Sequence, residues 1–540
     1  MLTLLSLASG FLIHVSVFKH GEWDTSSPTI VLCYLGAGLG GALWLTSRSL
    51  AAANGVLNIA PTEFLRLLFT HLVGLFFSIA IYRIYLHRLS NFQGPVIARL
   101  SNFYLTWLSA KKLQLHEEID ILHSRYGDYV RTGPRELSII DPQCVQAIYG
   151  TQTKCIKGPL YTLLDPRTNL SSTRNKTEHG KRRRAWDRGF STTALHTYEP
   201  IVKELTDDLM NVIDELSGSP INISEWVDKY TFEVMGQLTF GKPFNMLKER
   251  KEAYFLHVIR QDMNAIGYLI NLPWLSYLFM RIPGLNQNHL SFWKWIENEF
   301  AQRIARGQGR PDVFNWLHQA YLQGPQTKSD TLKLYGDGYL VIVAGSDTTA
   351  STITHLLFYL AFNKSLTQRL QAQLDELDEL KDENLRDVEL LDACINETLR
   401  LCPAVPTGVQ RETPEEGIHI GERYIPGRTI VKVPMYTLFR DPRSFEQPNE
   451  FIPERFTTRP ALIKDKSVFV PFLTGSYACV GRRLALMEVR RAVATILRRY
   501  DIAPGPNQTR EDFLGGKIDA FTLVAAPLTL RFTRREEAVS

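Results

Sequence analysis

The chain has 540 residues, 44% hydrophobic and 22% charged, which is the balance of an ordinary globular protein. This composition excludes a disordered chain, a collagen-like fibre and a coiled coil, and the mean hydropathy of -0.12 excludes a transporter built mainly of membrane spans. The net charge of +5 gives no indication of nucleic-acid binding. The 6 cysteines lack paired spacing, which excludes a disulfide scaffold and predicts reduced thiols in a cytosol-facing body.

Three apolar runs crowd the N-terminal region, at residues 2–18, 29–45 and 67–82. Each is near the roughly 20 apolar residues that a bilayer span needs. Arg83 and Arg88 follow the third run, and basic flanks tend to stay on the cytoplasmic side. Residues 1–90 are therefore predicted to form a membrane anchor of one to three helices, with the remaining chain in the cytosol. The alternatives are a cleaved signal for the first run and a buried or re-entrant helix for the second.

Beyond residue 90 the sequence becomes mixed, and long helical patterns are separated by short strand-like runs. A stiff hinge is predicted at 91–95, and strands at 129–132 and 138–140 flank the turn Gly133-Pro134. Further strands are predicted at 430–434, 522–525 and 528–532. The fold class is therefore mainly α with small β-sheets.

The most informative segment is Phe472-Leu473-Thr474-Gly475-Ser476-Tyr477-Ala478-Cys479-Val480-Gly481, which a helical repeat follows. Cys479 lies just before a helix N-terminus, where backbone N–H groups and the helix dipole favour a thiolate. Gly475 and Gly481 let the backbone approach something flat, and Phe472 shields one side. A shielded thiolate facing a flat group suits axial ligation of haem iron. The alternative is an inert core cysteine.

Two arginines and a glutamate form a second pattern. Glu397 and Arg400 share one face of a predicted helix at i, i+3, and Arg455 follows in Pro453-Glu454-Arg455-Phe456. A buried three-member network would join them. The alternative is an exposed pair of little energetic value.

A third pattern, Ala344-Gly345-Ser346-Asp347-Thr348-Thr349, interrupts a long helical run at 337–363. A threonine hydroxyl there competes for the carbonyl four residues back and is expected to open the helix locally. An acid beside an alcohol at such a kink would pass protons into a dry pocket, whereas the alternative is a tolerated weak spot. The fourth pattern, a basic cluster at 179–186, suits carboxylates or an acidic partner, unless it is a solvated face.

All four patterns occur once, in a fixed order, and together they resemble the cytochrome P-450 family over about residues 94–535. The chain looks most like fungal, microsomal members. The resemblance implies a haem-thiolate monooxygenase domain at 91–540 behind the anchor region at 1–90. The anchor lies outside the resemblance, and its several apolar runs depart from the single span of most members.

By this resemblance Cys479 is the thiolate ligand of haem b iron, and Arg183 and Arg411 hold the haem propionates. Thr348 would hydrogen-bond dioxygen while Asp347 feeds protons, and the Glu397 network would be structural. The residues expected at the haem are Cys479, Arg183, Arg411, Phe472, Gly475 and Gly481. Two departures concern the propionate site: His179 stands where tryptophan is frequent, and Tyr477 where arginine or histidine is usual.

The implied reaction inserts one oxygen atom of dioxygen into a lipophilic substrate at the endoplasmic reticulum membrane. Electrons would come from a separate NADPH-dependent reductase, which the arginines 482, 483, 490 and 491 would dock. The substrate is expected to be a terpenoid or other secondary metabolite, held by residues 405–409, Ala344 and 521–523. A reductase-independent isomerase or dehydratase is disfavoured because Asp347 and Thr348 are intact, and a non-enzymatic scaffold is the remaining alternative.

Overall fold

The computed structural model describes residues 1–51, 61–282, 284, 286–307 and 312–535. Part of the predicted anchor, residues 52–60, lies outside the described residues. Helices dominate and the sheets are small, which confirms the predicted fold class.

The α-helices, in chain order, are α1 (Leu2–Ile13), α2 (Ser27–Ala51), α3 (Pro61–Ile81), α4 (Val96–Leu100), α5 (Phe103–Lys112), α6 (Leu115–Tyr126), α7 (Cys144–Tyr149), α8 (Lys176–Gly189), α9 (Thr192–Leu216), α10 (Ile223–Phe240), α11 (Tyr254–Leu269), α12 (Pro273–Arg281), α13 (Gln287–Ala305), α14 (Val313–Leu322), α15 (Lys328–Ala361), α16 (Lys364–Asp375), α17 (Asp382–Leu385), α18 (Glu389–Leu401), α19 (Met435–Leu438), α20 (Arg482–Arg499) and α21 (Arg510–Gly515).

The strands are β1 (Tyr129–Gly133), β2 (Glu136–Ile139), β3 (Ile156–Lys157), β4 (Ile221–Asn222), β5 (Arg411–Glu412), β6 (Ile418–Ile420), β7 (Arg423–Ile425), β8 (Ile430–Lys432), β9 (Tyr500–Pro504), β10 (Ile518–Ala520), β11 (Thr522–Val524) and β12 (Thr529–Arg534). The largest sheet has the order β1-β2-β8-β5-β3, and β12 lies between β4 and β9. All five predicted strands occur. The last two do not pair with each other, because β11 pairs with β10.

The N-terminal helices are apolar. Among the described residues, the segments Ser27–Ser47 and Pro61–Leu86 are long and apolar enough to cross a membrane, and Leu2–Phe18 is a shorter apolar helix. The first and third helices lie close together, since a Cβ at Gly10 would come 2.0 Å from the His71 carbonyl oxygen. These helices are compatible with the predicted anchor of one to three helices.

The central helix α15 runs for 34 residues and begins with a capping box between Thr327 and Asp330. Its C-terminal half is buried in the main hydrophobic core with α10 and α20. The Thr348 hydroxyl donates to the Ala344 carbonyl oxygen at 2.8 Å, as expected. The predicted local opening is wrong, because α15 continues as a helix through Gly345.

The predicted arginine–glutamate network exists and is fully buried. Arg400 donates two hydrogen bonds of 2.8 Å to the carboxylate of Glu397, and Arg455 Nε donates a third at 3.0 Å. Arg400 also binds the carbonyl oxygens of Phe439, Pro448 and Glu450. The network thereby joins α18 to the irregular chain that leads towards the cysteine segment.

Replacing Arg400 by alanine is expected to prevent folding, because it leaves a buried carboxylate partly unpaired at a cost of about 3–5 kcal/mol. Arg369→Ala is the matched control, since Arg369 pairs with Glu454 and its side chain is 54% exposed; its cost should stay below about 1 kcal/mol. Soluble yield and thermal unfolding measure both. Equal stability of the two variants would contradict the assigned role.

Candidate active site

Cys479 lies in the turn that leads into α20. Its backbone N–H donates to the Phe472 carbonyl oxygen at 2.8 Å, which closes the segment into a loop, and Gly481 is the N-cap of α20. The side chain is accessible but deeply set. Burial raises the pKa of the thiol, whereas N–H groups of Gly481 and Arg482 and the charge of Arg183 act in the opposite direction. These groups are the ones that favour an anionic sulfur.

The two glycines of the loop differ in whether the fold requires a glycine at that position. Gly475 has a φ of +68°, and a Cβ there would meet the Tyr149 carbonyl oxygen at 2.5 Å. Gly481 is not in the left-handed region, and the nearest atom to a Cβ would be 3.8 Å away, on Phe190. The fold itself therefore requires glycine at 475, whereas the described protein atoms leave room for a side chain at 481.

Basic side chains gather beside this loop. Arg183 Nη1 donates to the Ala478 carbonyl oxygen at 2.5 Å, and the Arg411 guanidinium lies 4.9 Å from the Tyr477 ring centroid. Arg411 Nε and the Tyr477 hydroxyl are buried and have no hydrogen-bond partner among the described residues. Unpartnered buried donors are costly unless an acceptor reaches them, so this corner suits an anion.

Lys157 completes the basic corner, and the sequence reasoning missed it. Its ammonium is buried, donates to the Leu170 carbonyl oxygen at 2.6 Å and lies 4.9 Å from the Tyr477 ring. Burial and the nearby Arg411 lower the pKa of Lys157 to about 6. His179, which stacks edge-on against Tyr477, has its pKa lowered to about 3, first by burial and then by the charge of Lys157.

The acid–alcohol pair lies on α15. Ala344 is exposed in the structure, and Thr348 stands one turn further along the helix. Burial raises the pKa of Asp347 to about 7, and the carboxylate of Asp228 contributes. Asp228 in turn accepts a hydrogen bond of 2.7 Å from Arg260, whose side chain is 40% exposed. A series of titratable groups thus extends from α15 to the surface.

A small cavity of about 20 Å³ brings together several expected pocket walls. Thr407 and Gly408 line it from the segment after α18, and Phe521 lines it from the turn between β10 and β11, as predicted. Asn271, two residues before α12, and Leu160 also line it. Ala344 does not line this cavity.

The predicted four-arginine docking patch is only half correct. Arg482 and Arg483 are exposed beside the cysteine loop. Arg490 is buried and pairs with Asp392 and Asp382, and Arg491 donates to the Leu380 carbonyl oxygen. The helix period turns 490 and 491 towards neighbouring elements, so only Arg482 and Arg483 of the four are exposed.

A sequence model described as "Cytochrome P450" matches residues 95–532. The chain belongs to the cytochrome P450 family. It is 83% identical over 485 residues to cytochrome P450 monooxygenase orf5 of Eupenicillium brefeldianum, covering 90% of this chain and 99% of that protein. It is 42% identical over 533 residues to cytochrome P450 monooxygenase FCK2 of Fusarium pseudograminearum, covering 97% and 96%. Tryprostatin B 6-hydroxylase of Aspergillus fumigatus is 34% identical over 510 residues, covering 91% of this chain and 89% of that protein.

These relatives confirm the predicted kinship with fungal members and the monooxygenase class. Membership implies haem iron as the cofactor. The observed groups fit haem, because a deeply set thiol at a helix start and unpartnered donors beside it match a metal ligand and an anion site. The isomerase or dehydratase alternative is not favoured.

Gly475→Ala is expected to lower stability by about 1–2 kcal/mol, because alanine in a left-handed conformation is strained, and the contact with the Tyr149 carbonyl adds to this. Gly481→Ala is the control and should stay within about 0.5 kcal/mol of wild type. Thermal unfolding of the two variants measures the difference. A larger loss of stability for Gly481→Ala would contradict the assignment.

Proposed function

We propose that this protein is a membrane-anchored haem-thiolate monooxygenase that oxidises a lipophilic secondary metabolite, terpenoid-like in character, at the endoplasmic reticulum. Residues 1–90 form the anchor, and residues 91–540 form a catalytic domain on the cytosolic side. The observation that carries the proposal is Cys479 at the start of α20, with backbone N–H groups directed at its sulfur. The name of the tryprostatin B 6-hydroxylase, a related fungal protein, supports a hydroxylating role in such metabolism.

Cys479 would ligate the iron, and bound haem would supply the activation of dioxygen. Phe472, Gly475 and Gly481 would shape the loop that carries the thiolate. The propionates would be held by Arg183, Arg411 and Lys157, with Tyr477 donating a hydrogen bond; this set supplies the charge that Tyr477 lacks. The support for it is that Arg411 Nε and the Tyr477 hydroxyl are buried donors without acceptors in the described part of the chain, with Lys157 and Arg183 close to them.

Thr348 and Asp347 would deliver protons at the site. Asp347, with its pKa raised to about 7 by burial, is poised to release and regain a proton near neutral pH. Arg260 and Asp228 would connect Asp347 to solvent. An NADPH-dependent reductase would supply electrons, and the exposed Arg482 and Arg483 beside the thiolate loop suit an acidic docking surface.

Cys479→Ser is expected to abolish the thiolate signature in the absorption spectrum of the reduced, carbon monoxide-bound protein, because an alcohol is a poor anionic ligand. Cys402→Ser, at a buried cysteine outside the loop, is the control and should keep the signature in whatever protein folds. A normal thiolate spectrum and turnover in Cys479→Ser would overturn the proposed function.

Thr348→Ala is expected to bind haem normally but to lose coupling. Alanine removes a hydroxyl while changing little bulk, so product per NADPH should fall by about 10²-fold, as for loss of a proton-transfer group, while hydrogen peroxide is released. Thr352→Ala, whose hydroxyl also donates to a carbonyl four residues back, is the control. Unchanged product per NADPH in Thr348→Ala would move the proton path elsewhere.

Lys157→Met is expected to release haem faster, because a buried cation beside Tyr477 is lost while the length of the side chain is kept. Transfer of haem to an apo-globin acceptor measures the rate, which should rise about tenfold for the loss of one charged hydrogen bond. Lys154→Met, at an exposed ion pair with Glu416, should behave like wild type. Equal release from both variants would exclude Lys157 from the propionate site.

A further inference from the structure

The connection between the first two N-terminal helices touches the catalytic body. Glu22 accepts hydrogen bonds from Arg174 at 2.9 and 3.2 Å and lies 3.5 Å from Arg135. Burial raises the pKa of Glu22, but the bonds and charges of these arginines outweigh it and lower the pKa overall. A part of the chain outside the family match is thus bonded to the matched part.

Arg174 also contacts residues further inside the catalytic body. Its Nε donates to the Lys157 carbonyl oxygen at 3.0 Å, and its Nη2 donates to Glu412 at 2.8 Å. Lys157 directly precedes the 159–164 turn, which carries Leu160 on the cavity wall. Glu22 is therefore linked to one side of the cavity through Arg174.

The same connection also contacts α12, the helix that follows the cavity residue Asn271. The helix α12 has Leu272 at its N-cap and no side-chain cap of its own among the described residues. The backbone N–H of Trp274, in the first turn, faces the carboxylate of Asp24, and the Trp274 carbonyl oxygen accepts a hydrogen bond of 2.7 Å from the Ser27 hydroxyl. First-turn N–H groups have no partner inside their helix, so Asp24 is placed where a cap from outside the helix would stand.

The helix α12 begins beside the cavity. Asn271, two residues before its first residue, lines the cavity, and the Tyr277 hydroxyl donates to the Thr162 hydroxyl oxygen at 2.8 Å. None of the residues of α12 is buried, although the helix is apolar. It packs against α2 and the 159–164 segment, and the N-terminal connection adds the polar contact from Ser27.

We propose that residues 22–27 form a clasp that caps α12 from the anchor and sets how far the substrate entrance opens. Asp24 and Glu22 are positioning residues of this clasp, which acts on α12 and on the 159–164 turn respectively. The inference rests on the proposed function, in that the cavity is taken as the path of a lipophilic substrate arriving from the bilayer. With this clasp, the anchor would form part of the substrate entrance in addition to holding the protein at the membrane.

The test uses the full-length holoprotein in phosphatidylcholine nanodiscs, with two readouts. Hydrogen–deuterium exchange reports the mobility of α12, and stopped-flow absorbance reports the association rate of clotrimazole, a lipophilic azole. Asp24→Ala should increase both by about fivefold or more, since a helix cap is lost. Glu22→Ala should increase exchange in the 156–164 segment.

Two controls make the result specific. Asp24→Asn keeps an acceptor for the Trp274 N–H and should restore wild-type exchange, and Glu63→Ala, at an exposed pair with Arg66 inside the anchor, should change nothing. Unchanged exchange in α12 after Asp24→Ala overturns the clasp, and increased exchange without faster azole binding overturns its role at the entrance. A wild-type protein without the thiolate spectrum would instead contradict the proposed function, which the exchange measurement does not involve.

Discussion

One buried carboxylate organises the region on which the thiolate loop depends. Glu397 receives hydrogen bonds from Arg400, Arg455 and the backbone N–H of Ile452, and all three charged side chains are fully buried. The other N–H groups of the two arginines donate to backbone carbonyl oxygens in a segment with little regular secondary structure. Charged groups without water need such complete pairing. The network therefore fixes the path of the chain towards Cys479 in a way that apolar packing alone would not.

A different imbalance marks the basic corner. Lys157, Arg411 and Tyr477 meet beside the loop, and two buried donor atoms there have no acceptor in the described part of the protein. Burial, followed by the charges of Arg411 and Arg182, lowers the pKa of Lys157 to about 6, which reflects the cost of keeping that amine charged. A fold tolerates a buried cation of this kind where a bound anion neutralises its charge. In the proposed function the balancing anions are the haem propionates.

Much of the site could be predicted because its patterns are local in sequence. The cysteine segment, the Glu397–Arg400 spacing and the predicted strands each depend on neighbouring residues, and the structure bears out their geometry. Lys157 and the clasp could not be found in this way, because their partners are brought together only by the tertiary fold; the Ser27–Trp274 bond spans 247 positions. The docking patch was half wrong for a related reason: helix periodicity alone does not reveal that Asp382 and Asp392 face Arg490.

The arrangement also separates the proposed proton path from the proposed substrate path. Arg260 on α11 and Asp228 on α10 lead from solvent towards Asp347, while Asn271, which follows α11, lies on the cavity beside α12. Protons need a polar route, whereas a lipophilic substrate needs a dry one, and water admitted with the substrate would favour release of peroxide over product. In the proposed function, the clasp between the anchor and α12 would keep the substrate route in contact with lipid. The clasp and the Asp347 relay would then both serve coupled turnover. The substrate path must exclude water, and the proton path must exclude the lipophilic substrate.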